Sequence, residues 1–225
     1  MDNTLEKYPA IVRYNELWEQ GEVSKPVVFL IGGYAGTGKS TLAKEITNYF
    51  KNINVLPTGI IRSILREYVS KESNPYLYAH TYNLHTFLSE ESSRNQVAEL
   101  YEKQVAPISS SINQIIDFSS TEKQHWIIDG NHVLPKYIKW DDRVILFEFY
   151  LQVTDASTHR KLLGGPTHNR TLDNEQFHTA RKLHDYTVAK VTEANKLLYE
   201  YNLATKEVLS LVDQTLSSYL EKNHN

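Results

Sequence analysis

No cysteine occurs among the 225 residues. Disulfides, zinc–thiolate sites and thiol catalysis are therefore excluded together. No apolar stretch approaches the roughly 20 residues that a membrane-spanning helix needs. The first twenty residues, Met1 to Gln20, mix Glu, Lys, Arg and Asn with apolar positions and lack the apolar centre of a signal peptide. The cytoplasm is the expected compartment. Long basic runs are missing too, and the formal net charge is −3, so the chain carries no electrostatic footprint for nucleic acid. Nucleic acid and membrane are not expected partners, although a few local arginines can still hold a small phosphorylated ligand. Internal repeats, low-complexity tracts and domain linkers are lacking, and nothing in the sequence fixes an oligomeric state.

What is present fits one globular α/β domain. Hydrophobic residues make up 40% and charged residues 23%, close to the globular norm, and a chain of this length buries a full core. Pro9 to Gln20 reads as an amphipathic helix, part of an N-terminal extension over residues 1–24. Val27-Val28-Phe29-Leu30-Ile31 is a continuous apolar run bounded by Pro26 and Gly32, as expected of a parallel strand buried on both faces. A Gly-rich turn and a helix to about Phe50 follow. A short strand, Asn54 to Pro57, precedes a helix with the stripe Ile61, Ile64, Leu65 and Tyr68. A long helical region over about Ser89 to Phe118 is expected to bend or break at Pro107. Trp126 to Asp129 and Val144 to Phe149 read as buried strands. A helix after Asp155 is interrupted by Gly164-Gly165-Pro166, and the next carries Val191, Ala194, Leu198 and Tyr201 on one face. Val208 to Val212 reads as a last strand before a closing helix. Alternating strands and helices imply a five-stranded parallel sheet covered on both sides.

The chemistry concentrates in Gly33-Tyr34-Ala35-Gly36-Thr37-Gly38-Lys39-Ser40, which matches G-x-x-x-x-G-K-[ST] at every position. Gly33, Gly36 and Gly38 allow the backbone to approach phosphates closely. With Thr37, their N–H groups form an anion nest at the positive end of the following helix. Lys39 reaches the β- and γ-phosphates of ATP, the Ser40 hydroxyl is a ligand for Mg²⁺, and Thr41 adds a contact near the α-phosphate. Asp129 ends an apolar strand, where open parallel sheets bind ligands. A carboxylate there holds Mg²⁺ or positions an attacking hydroxyl.

Arg62 and Arg66 share a helix face and suit a phosphate or carboxylate on the acceptor. Arg160, Arg170 and Arg181 flank the Gly-Gly-Pro break. They mark about 154–182 as a lid whose arginines stabilise the transferring phosphoryl group. His132, in Gly130-Asn131-His132, is a further candidate for the acceptor site.

These segments resemble the 2-phosphoglycerate kinase family of P-loop kinases over roughly Val27 to Tyr201. The loop Ile31 to Thr41, the helix Ile61-Arg62-Ser63-Ile64-Leu65-Arg66, the segment Ile127 to Pro135 and the helix Arg181-Lys182-Leu183-His184-Asp185-Tyr186 carry the likeness. The resemblance implies the P-loop kinase fold and ATP-dependent transfer to a small phosphorylated acid, with Arg62, Arg170 and Arg181 as the matching arginines. The family pattern has a Thr-Asp pair where this chain reads Thr58-Gly59; the expected base is lacking there, which leaves Asp129 as a substitute. The expectation is a P-loop kinase of a small-molecule phosphoryl acceptor. The alternatives are a kinase of a nucleotide sugar or a polynucleotide 5′-hydroxyl, and an ATP-binding module that no longer catalyses.

Overall fold

The computed structural model describes residues 7–89, 96–164 and 171–223. Five strands, β1 (Val27–Gly32), β2 (Ile53–Pro57), β3 (His125–Asp129), β4 (Ile145–Gln152) and β5 (Leu198–Glu200), form one parallel sheet in the order β2-β3-β1-β4-β5. The central strand β1 is buried at every position, as its uninterrupted apolar run requires. Alternate residues of it serve opposite faces. Val27, Phe29 and Ile31 pack with α1 (Pro9–Glu19), α2 (Lys39–Thr47) and α7 (Ala204–Asn223). Val28 and Leu30 pack with Ile61 of α3 (Thr58–Leu65) and with Ile108, Ile112 and Ile116 of α4 (Gln96–Glu122). A third cluster joins Tyr34 to α4, α5 (Ala156–Leu163) and α6 (Asn174–Glu193). This is the P-loop kinase fold read from the sequence.

Four expectations need correction. The fifth strand is Leu198–Glu200, paired with Tyr150–Gln152, whereas Val208–Val212 lies inside α7. Val208, Leu209, Val212 and Leu216 are buried while Leu211 faces out, a helical spacing that a five-residue apolar run does not distinguish from a strand. Helix α6 does not continue through Leu198 and Tyr201, because Asn195 takes a left-handed φ of 53° and turns the chain into β5.

Helix α4 runs unbroken through Pro107. Proline there cannot donate to the carbonyl of Lys103 four residues earlier, and the Asn74 side chain supplies that donor instead at 3.0 Å. The stripe on α3 is only partly a core stripe: Ile61 is buried, while Ile64 is 54% and Tyr68 83% exposed.

The N-terminal extension is held by a cap from the far end of the chain. Pro9 occupies the first turn of α1, and Tyr8 at the N-cap makes no side-chain capping bond. Asp213 of α7 accepts from the backbone N–H groups of Ala10 at 2.8 Å and Ile11 at 3.0 Å. Asp213→Ala is expected to cost about 1 kcal/mol, the usual worth of such a cap, read as a lower urea midpoint, while Asp213→Asn retains most of it. An unchanged midpoint in Asp213→Ala would show that α1 docks by apolar packing alone.

Candidate active site

Strand register levels the parts of the site. Ile31 of β1 stands beside Asp129, and Asp129 beside Pro57. The loops leaving β1, β2 and β3 therefore emerge together at the carboxyl edge of the sheet. Between them, α2, α3 and α5 enclose a cavity of about 770 Å³. Its wall includes Gly36, Gly38, Lys39, Ser40 and Thr41 on one side and Pro57, Thr58, Gly59, Asp129 and Gly130 on the other.

The phosphate loop has the conformation its glycines permit. Gly33 adopts φ 130°, and a Cβ on it would stand 2.4 Å from the Leu151 carbonyl oxygen, so no other residue fits. Gly38, in the left-handed region, leads into α2 without any side-chain cap. The N–H groups of Lys39 and Ser40 thus have no capping side chain and no intrahelical carbonyl to meet, which suits an incoming anion, while those of Thr41 and Leu42 donate to the Gly38 carbonyl. Thr37 is fully buried and its hydroxyl donates to the Tyr34 carbonyl at 2.8 Å. Its side chain braces the loop rather than facing the cavity.

Lys39 is only 8% exposed, and its Nζ donates to the same Tyr34 carbonyl at 2.6 Å. Burial pushes its pKa down from 10.5 to about 8, with the Asp129 carboxylate opposing the shift. The Ser40 hydroxyl donates to Asp129 Oδ2 at 2.9 Å, so β1's loop and β3's end meet in one polar contact. Hydroxyl and carboxylate oxygens are hard donors that fit Mg²⁺, which takes one or two protein ligands and fills the rest with phosphate and water. No cluster of three His, Asp or Glu able to hold a metal occurs among the described residues.

The other sequence candidates lie elsewhere. Arg62 donates to the Ala79 carbonyl at 2.7 Å and Arg66 to that of Leu77 at 2.8 Å. Both tie α3 to the segment beneath it, and neither is part of the cavity wall. Arg181 donates to the Val153 carbonyl at 2.9 Å and pairs with Asp185 at 2.9 Å. Arg160 bonds Asn174 at 2.8 Å. Arg170 lies outside the described residues. His132 is buried behind Thr58.

In their place the cavity wall presents residues the sequence did not single out. Lys44 shares the outward face of α2 with Ser40, four residues on, a spacing that could have flagged it. Leu162 and Leu163 arrive from α5. In the region expected to form a lid, His159 donates from Nε2 to the Ala35 carbonyl at 2.8 Å, tying α5 to the phosphate loop.

Phosphate binding favours the charged form of Lys39. Above about pH 8, where its unliganded form begins to lose the proton, binding must take one up. The affinity for MgADP is expected to fall on the order of tenfold from pH 7 to 9, with calorimetry in two buffers reporting proton uptake at the higher pH. A flat profile would mean that Lys39 does not meet the phosphates.

No family model matches the chain. It is similar to 2-phosphoglycerate kinases of Methanopyrus kandleri (28% identical over 187 residues, 79% of this chain and 57% of that protein) and Methanococcus maripaludis (28% over 204 residues, 86% and 65%). A third, from Pyrococcus horikoshii, is 32% identical over 114 residues, 51% of this chain and 38% of that protein. The chain thus spans less than two thirds of the length of these relatives. Among solved structures, the tunicamycin resistance protein of Deinococcus radiodurans aligns with a TM-score of 0.46 at 13% identity (85% of this chain, 95% of the other). Shikimate kinase from Acinetobacter baumannii aligns at 0.46 and 11% (91% and 98%). Over most of its residues, the chain is similar to 2-phosphoglycerate kinases.

Proposed function

We propose that the chain is an ATP-dependent kinase of a small-molecule acceptor. The observation that carries this reading is the Ser40–Asp129 contact, set beside buried Lys39 in the wall of one cavity. The phosphate loop and the first turn of α2 hold the triphosphate of ATP, which is a substrate here, and Lys39 exchanges the Tyr34 carbonyl for phosphate oxygens. Ser40 and Asp129 would hold Mg²⁺, which would supply positive charge to the phosphates of the nucleotide. The acceptor occupies the side walled by Pro57, Thr58, Gly59 and Gly130. Its oxygen bonds to the γ-phosphorus as the bond to the β–γ bridging oxygen breaks. The similarity to 2-phosphoglycerate kinases supports a phosphorylated acid as that acceptor, and Lys44 supplies a cation on the wall nearby.

A second reading is a nucleotide-binding module without transfer. It is favoured by the one carboxylate among the described residues of the cavity wall, Asp129, which is engaged by Ser40. ATP consumption across 2- and 3-phosphoglycerate, glycerate, nucleosides, nucleotide sugars and a 5′-hydroxyl oligonucleotide separates the two. Strong stimulation by one acceptor is expected, lost in Lys39→Ala while the chain stays folded. Tight MgADP binding with no stimulation by any would support the second reading.

Position 59 offers a further check. Gly59 belongs to the cavity wall, and a Cβ there meets nothing within 4 Å. If the acceptor is a hydroxyl that lacks a general base, Gly59→Asp should raise kcat by about 10–100-fold, within the usual worth of such a base. An unchanged or lower kcat would place the proton's acceptor elsewhere.

A further inference from the structure

Behind the acceptor side of the cavity runs a hydrogen-bond chain whose direction is fixed by backbone groups. Gln104 of α4 is fully buried, and its Nε2 donates to the carbonyls of Tyr76 and of Ala79, the latter at 3.0 Å. Both amide protons are thereby used, and Oε1 is left as an acceptor facing His132 Nε2 at 3.1 Å. The ring must carry its proton on Nε2. Nδ1 is then an acceptor, and the Thr58 hydroxyl donates to it at 2.9 Å. Burial, reinforced by Arg62 and Lys39, pushes the His132 pKa down to about 3, so the ring stays neutral. At the far end, Thr58 Oγ1 fills the space of a missing side chain: a Cβ on Gly130 would lie 1.7 Å from it.

Thr58 and Gly130 belong to the cavity wall, whereas His132 and Gln104 do not. The same turn is held from α4 twice more, by the Tyr101 hydroxyl on the Asn131 carbonyl and the Ser109 hydroxyl on that of His132 at 3.2 Å. None of these bonds touches the phosphate loop directly, the Asn131 side chain and the Tyr34 hydroxyl meeting at Thr81 Oγ1 at 3.2 and 3.0 Å. A chain of buried polar groups adds little net stability but fixes direction, since each unmet partner is costly.

We propose that Gln104 and His132 are positioning residues for the acceptor: they lock Thr58 onto Gly130 and so set the gap between the start of α3 and the Asp129–Gly130 turn. The inference rests on the kinase reading. It separates the two substrates, because the nucleotide is held by loop and helix backbone that the chain leaves alone.

The test uses the full chain with MgATP and 2-phosphoglycerate as acceptor, or the panel member that the wild type turns over. Thr58→Val keeps shape and removes the donor; Gln104→Leu cuts the chain at its other end. Each is expected to lower kcat/KM for the acceptor by about tenfold or more, the scale of a small misplacement, with MgADP affinity changed less than about twofold. Thr58→Ser, which keeps the hydroxyl, should recover activity to within about threefold of wild type. In ¹⁵N-histidine spectra, His132 should be the Nε2–H tautomer and should not titrate between about pH 5 and 8.

Folded Thr58→Val with acceptor kcat/KM near the wild-type value overturns the proposal. So does an equal loss of MgADP affinity, which would indicate general loosening, or an Nδ1–H tautomer. A wild type that turns over no acceptor sinks the kinase reading itself, and the proposal falls with it.

Discussion

In the register of β1 against β3, Ile31 stands level with Asp129, and Gly130 N–H closes the pairing on the Ile31 carbonyl at 3.0 Å. The remaining geometry of the site depends on that alignment. It sets the Ser40 hydroxyl against Asp129, although 89 residues separate them. It also brings the loop after β2 to the same level, since Pro57 pairs with Asp129 from the other side. A shift of one residue would exchange the side chains that β1 sends to its two differently packed faces, Val27, Phe29 and Ile31 on one and Val28 and Leu30 on the other. The site's span is thus inherited from core packing rather than from the loops.

Long helix α4 serves two purposes along its length. Ile108, Ile112 and Ile116 cover the sheet, while Tyr101, Gln104 and Ser109 bond the turn that follows β3 or the groups beside it. Apolar contacts fix how far the helix stands from the sheet. The polar contacts then fix the turn against the helix with directional bonds. Arg62 and Gln104 both donate to the Ala79 carbonyl, so the segment beneath α3 links the two elements. Arg62 and Arg66 hold this scaffold together through the Ala79 and Leu77 carbonyls and are not part of the cavity wall.

How much the sequence discloses follows from how local each feature is. The phosphate loop is contiguous, so its place between β1 and α2 reads directly from the spacing of its glycines. Asp129 reads because an apolar run ends in a charge. Strand β5 did not, since three residues with one buried side chain, Tyr199, give no periodicity. The apolar run in α7 misled for the opposite reason. Arg62 and Arg66 share a helix face as expected, but what that face meets is a tertiary matter: the carbonyls of Leu77 and Ala79 lie more than ten residues on. His132 sits near the site, yet its contact with the cavity passes through Thr58. Gln104 is one polar residue in a long polar helix, and no local signal marks it.

The contact between Thr58 and Gly130 makes two distant positions a single unit of variation. A side chain at 130 is blocked while the Thr58 hydroxyl occupies its place. Removing that hydroxyl first leaves His132 Nδ1 buried without its donor. Either step is costly, and with the hydroxyl gone a Cβ at 130 would still stand 2.8 Å from Thr58 Cβ and 2.9 Å from its Cγ2, so the two positions hold each other in place. Mutational paths that alter this wall one residue at a time meet a barrier at the first step. Acceptor preference should then drift more readily at Gly59 and Lys44, whose side-chain positions face open space.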